Sequence, residues 1–163
     1  TYGGFSSCVV APKTIRSVST RYVGYLPDYD FDTFDYMSCC DYGDIPIQNG
    51  SYEYSFASMR KGIGEILDAG CVPITFGGDH SISYPLISEL CTRHKKRVGV
   101  LHFDAHLDTM PTFGDDLYSR CSPFNRLYGT VSIVASSSVV QEVAQQALPP
   151  MREFGAFVRE ELL

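Results

Sequence analysis

The sequence predicts an α/β domain in three layers, with helices on both faces of a mostly parallel sheet. Apolar strand-like runs alternate with helical stripes between residues 52 and 103, the order expected when crossover helices connect parallel strands. Two of those runs end in residues that can ligate or turn, Gly77-Gly78-Asp79-His80-Ser81 and Asp104-Ala105-His106-Leu107-Asp108. In open α/β sheets, ligands bind beyond the carboxyl ends of the strands. The length of 163 residues, with 44% hydrophobic and 20% charged residues, amounts to a single globular domain, residues 1–163.

Taken in order, residues 1–50 are rich in Tyr, Asp, Pro and Gly and hold only brief strand-like pieces such as Tyr22-Val23-Gly24-Tyr25. Asp41-Tyr42-Gly43-Asp44-Ile45-Pro46 reads as a turn. Over 52–69, Phe56, Met59, Ile63, Ile66 and Leu67 fall on one helical stripe, and Gly70 follows as a stop. A buried strand is expected at 71–76, a helix at about 81–94 and a strand at 98–103. Residues 129–163 read as a helical tail. Ser136-Ser137-Ser138 caps a stripe of Val139, Val140, Val143, Ala144, Ala147 and Leu148, which Pro149-Pro150 ends. A second stripe of Phe154, Phe157, Val158 and Leu162 follows, suited to packing on the sheet or on another subunit.

Charge and hydropathy narrow the partners. The net charge is −6, and the largest basic cluster, Arg93-His94-Lys95-Lys96-Arg97, sits where a helix ends and cations complement its dipole. Nucleic acid is therefore not an expected partner. No apolar run reaches the roughly 20 residues of a membrane helix, and Thr1-Tyr2-Gly3-Gly4 lacks the shape of a signal peptide. No membrane role and a cytoplasmic location are expected. Six cysteines without a C-x-x-C pair, Cys39-Cys40 included, read as reduced thiols, with Cys71 at the start of the buried strand.

The chemistry concentrates at the two strand ends. In an extended backbone, residues two apart point to one side, so Asp104, His106 and Asp108 converge. Carboxylate and imidazole donors suit a divalent ion such as manganese or zinc. His80, at the end of the neighbouring strand, is a fourth candidate ligand. Asp79 is expected to accept a hydrogen bond from a ligand or a loop amide rather than bind metal. His102 shares the parity of Asp104 but lies inside the strand, so it reads as a packed core residue, while His94 reads as solvated.

Gly77-Gly78-Asp79-His80-Ser81 and Asp104-Ala105-His106-Leu107-Asp108-Thr109 resemble two of the three signature motifs of the ureohydrolases, the arginase and agmatinase family. The likeness runs from about Pro12-Lys13-Thr14-Ile15-Arg16 to about Tyr128. It implies an arginase-like fold and a dinuclear manganese enzyme that hydrolyses a guanidinium group to urea and an amine. His80 and Asp108 would bind one Mn2+, His106 the other, and Asp104 would bridge them. The chemistry is coherent: guanidinium carbon is a poor electrophile, and a metal pair lowers the pKa of a shared water that attacks it. Relatives commonly form trimers or hexamers, so a homo-oligomer is implied.

Two departures stand beside the likeness. The third motif, S-x-D-x-D-x-x-D, is absent: no Asp follows Asp116, and Glu142, Glu153, Glu160 and Glu161 lie on helical patterns. At most four of six expected ligands are present, so one Mn2+ or none is the expectation for this chain. Arg120 stands where relatives carry a histidine before Pro-Phe, a fixed cation that would repel a guanidinium group. Agmatine or a related guanidino compound is favoured over arginine, because Thr109-Met110 replaces a polar contact that arginases tend to present. The alternative is a non-catalytic remnant with partial metal binding; a deacetylase-like hydrolase fits the motifs less well.

Overall fold

A computed structural model of the chain describes residues 6–95 and 98–133. Its first part is built from short pieces. A 3-10 turn leads into α1 (Ala11–Ser19), which carries Pro12 in its first turn. The hairpin of β1 (Tyr25–Leu26) and β2 (Phe31–Asp32) is antiparallel. Asp30 turns it in the left-handed region at φ +47°, and the Tyr25 hydroxyl donates to Asp30 Oδ1 at 2.8 Å. Asp32 then caps the short α2 (Thr33–Tyr36) through the Phe34 amide. Arg16 ties α1 to the loop after α2, with Nε donating to Asp41 and Nη1 to Asp44, both at 2.6 Å.

The two long helices form the centre. In α3 (Tyr52–Asp68), the Ser51 hydroxyl accepts the Tyr54 amide at 3.2 Å, as an N-cap should. Its apolar stripe buries Phe56 and Ile63, and Gly70 ends it at φ +72°, a backbone that side chains rarely adopt. In α4 (Ser83–His94), Lys95 in the left-handed region closes the last turn by donating to the Cys91 carbonyl. The helices meet through Phe56, edge-on to Tyr84 with centroids 5.7 Å apart, and through the Arg60 guanidinium 5.5 Å above the Tyr84 ring.

β3 (Val98–Val100) pairs in parallel with β4 (Val131–Ile133), in register Val98 with Val131. Their connection contains α5 (Pro123–Arg126), whose Phe124 and the following Leu127 are 3% and 1% exposed. A parallel pair joined by a long crossover and flanked by helices is the α/β arrangement expected. Tyr118, from the same connection, stacks on Tyr84 and meets Phe56 at right angles, sealing the helix pair.

Some expected elements take another form. Residues 71–76 carry no strand pairing, and Val72, Ile74 and Phe76 are 86%, 77% and 62% exposed. A β-branched run states a preference, but a ladder needs a neighbour's backbone, and none among the described residues supplies it. Cys71 is consequently exposed rather than buried; Cys8, Cys39, Cys40, Cys71, Cys91 and Cys121 are all free thiols. The strand expected at 98–103 is paired only to Val100. The strand-like piece at 22–25 shifts to Tyr25–Leu26. At the start of the segment read as a helical tail, Val131–Ile133 form a strand instead, and the stripes from Ser136 onward lie outside the described residues. Among the described residues, no helix is long and apolar enough to cross a membrane.

Candidate metal centre

The site gathers where the segments after 76 and 100 meet the N-terminal end of α5. Asp79 caps the 3-10 turn His80–Ile82: its Oδ1 accepts the Ser81 amide at 2.9 Å and also the Ser81 hydroxyl. That double hold on Ser81, which is 3% exposed, fixes the turn from which His80 projects. Asp79 thus accepts a loop amide, the part the sequence suggests for it.

Asp104 and Asp108 each approach His80, and His106 approaches Asp104, but not along a straight strand. The chain bends at Ala105 and His106, and Asp104 Oδ1 accepts the His106 amide at 2.8 Å, the local turn a short carboxylate favours. Asp108 takes φ +48°, and its carbonyl accepts the Phe124 amide at 3.2 Å, which anchors this backbone to α5. His80 Nδ1 then lies against Asp108 Oδ2 and 3.7 Å from Asp104 Oδ2. His106 Nδ1 is 3.3 Å from Asp104 Oδ1, with its side chain 80% exposed.

One residue of the cluster goes beyond the expectation. His102 is 8% exposed, as a core residue should be, yet its Nε2 is 3.6 Å from Asp104 Oδ2. Ligating atoms of His80, His102 and Asp104 all lie within 4.8 Å of one another. Its ring sits between His80, at 5.2 Å between centroids, and Phe124, at 4.5 Å. The shared parity with Asp104 is the signal that could have placed it here.

The electrostatics favour an ionised Asp104. The His106 amide, aided by the charges of His80 and His102, holds its carboxyl below the ordinary carboxylate value against the desolvation that pushes it up. Carboxylate oxygens and imidazole nitrogens at this spacing form a donor set for one divalent cation. A cleft beside the cluster is lined by Asp79, Asp115, Asp116, Tyr118 and Arg120. Arg120 therefore faces the same opening as the loop that carries His80.

Fold and site together define an α/β protein with a candidate metal centre at the ends of its strand segments. A model of the arginase family matches residues 3–153, and the chain belongs to that family. The match continues past Tyr128, where the likeness read from the sequence ends. The chain is 34% identical over 116 residues to the mitochondrial agmatinase of Gallus gallus, covering 71% of this chain and 34% of that protein. It is also 34% identical over 116 residues to the mitochondrial guanidino acid hydrolase of Homo sapiens, covering 71% and 32%. It thus spans about a third of the length of these curated relatives. A solved structure of Trypanosoma cruzi formiminoglutamase with Mn2+ is similar at a TM-score of 0.73 and 19% identity, covering 94% of this chain and 60% of that one.

Proposed function

We propose that this chain carries part of the active site of a metal-dependent hydrolase acting on guanidino compounds, with agmatine or a guanidino acid as substrate. The observation that carries the reading is the meeting of His80, from one segment, with Asp104 and Asp108, from another, while His106 contacts Asp104. Membership of the arginase family supports it, as do relatives named for agmatine and for guanidino acids. Mn2+, named for the similar formiminoglutamase structure, is the ion of this proposal.

His80, Asp104 and Asp108 would hold the ion, with His106 at the exposed rim. When bound, such an ion supplies Lewis acidity and makes water acidic enough to ionise near neutral pH. The chain's own part is positional. Asp79 fixes the His80 turn, the His106 amide keeps Asp104 ionised, and Phe124 gives His80 an apolar wall at 5.5 Å between centroids. Arg120 shares the cleft wall with Asp79, Asp115 and Asp116, so the lining carries more negative than positive charge and does not by itself choose between agmatine and a guanidino acid.

A second reading, metal binding without turnover by these 163 residues, is favoured by the lack of any Asp after Asp116. Manganese loading of the purified chain, followed by assay of urea release from agmatine and from a guanidino acid of similar length, separates the two. Urea above background supports a hydrolase; bound metal without urea supports the second reading; neither metal nor urea overturns both.

A further inference from the structure

His102 is not among the ligands implied by the family resemblance, yet it lies within the cluster. Its side chain is buried and its Nε2 lacks a hydrogen-bond partner. An unpaired polar nitrogen in such a place costs on the order of 1–3 kcal/mol. Asp104 Oδ2 lies 3.6 Å away, less than 1 Å beyond a normal hydrogen bond. The other oxygen, Oδ1, is already held by the His106 amide at 2.8 Å. Oδ2 also faces His80 Nδ1 at 3.7 Å. A carboxylate oxygen has two lone pairs, so Oδ2 can offer one to a cation shared with His80 and the other to an N–H behind it. His102 lies two residues before Asp104, with its ring packed against Phe124, and its ligating atom lies within 4.8 Å of those of His80 and Asp104.

We infer that His102 is a positioning residue, its Nε2–H donating to Asp104 Oδ2 and aiming that oxygen at the metal. The inference rests on the reading of this cluster as a metal centre and adds to it a residue that binds no metal itself. Partners of this kind orient ligating groups, and their loss typically lowers metal affinity about 10- to 100-fold.

The test measures Mn2+ affinity, from the electron paramagnetic resonance of free Mn2+, and the visible spectrum of the Co2+-loaded chain, for the unsubstituted protein, His102→Phe and His102→Gln. Far-UV circular dichroism checks that each variant folds. His102→Phe keeps the ring packing and is expected to weaken Mn2+ binding about 10- to 100-fold, while His102→Gln, whose amide still donates, stays within about threefold of the unsubstituted chain. At saturation the Co2+ bands keep their positions in both variants, because the donor set is unchanged. Full affinity in His102→Phe overturns the inference, and so do equal losses in the two variants, which would reduce His102 to packing. Displaced Co2+ bands also overturn it, because His102 would then be a ligand. No metal binding by the unsubstituted chain overturns the metal centre itself, a failure distinct from these.

Discussion

At the scale of single residues, Asp104 is the group on which the site depends, because three imidazoles surround its two oxygens: His80, His102 and His106. Asp104→Asn removes the charge that draws a cation, so it is expected to weaken Mn2+ binding more than His102→Phe does. Titration with Mn2+ checks this, and equal affinities in the two variants would remove Asp104 from the site. Far from the site, the Arg16 guanidinium and the Gly43 amide hold the Asp41 carboxyl below its ordinary value. A carboxyl depressed in the folded state stabilises the fold above its unfolded pKa, about 3.9, and loses that contribution as pH falls through the folded value. Arg16→Met is therefore expected to lower the urea midpoint at pH 7, and the gap to the unsubstituted chain should narrow as pH falls from the unfolded value through the lower folded one. A gap that is independent of pH would mean that packing of the arginine stem, not charge, joins α1 to the 41–44 loop.

The elements show how local chemistry and tertiary demand divide the work. Helix α3 follows from its own residues: a serine cap, a stripe through Phe56 and Ile63, and a glycine stop. Ser51→Ala is expected to cost about 1 kcal/mol through the lost cap. Gly70→Ala is expected to cost about as much, by forcing a side chain into the left-handed region. Both are read as shifts in denaturant midpoint at unchanged slope. The loop carrying Asp104, His106 and Asp108 is the opposite case. Alternation along a straight strand would point the three side chains one way, but the actual path uses a bend, a side-chain turn at Asp104 and φ +48° at Asp108. An aspartate tolerates that backbone, and the Phe124 amide on the Asp108 carbonyl holds it there.

At the scale of the molecule, burial is concentrated around α3, α4 and α5. Ile63, 4% exposed at the α3 side of that core, is expected to lose about 3 kcal/mol on replacement by Ala, measured by urea denaturation. The segments at 71–76 and 101–103 behave differently: Ile74 and Leu101 are 77% and 61% exposed. Ile74→Lys is thus expected to change stability by less than about 0.5 kcal/mol while reducing the binding of an apolar fluorescent dye. A large destabilisation would show that Ile74 is covered in solution.

The sequence by itself determined the helices at about 52–69 and 81–94, the α/β class and the carboxylate and imidazole residue types of the candidate site, because periodicity, caps and ligand chemistry are local properties. It also carried the family likeness, since two short motifs in order survive where overall identity is near a third. What the tertiary structure decided is pairing and adjacency. Apolar runs at 71–76 and 98–103 look alike in sequence, but only Val98–Val100 finds a partner strand, because hydrogen bonding in a sheet is supplied by another part of the chain. Likewise parity put His102 on the side of Asp104, but only packing against Phe124 brought its buried nitrogen to within 3.6 Å of the carboxylate.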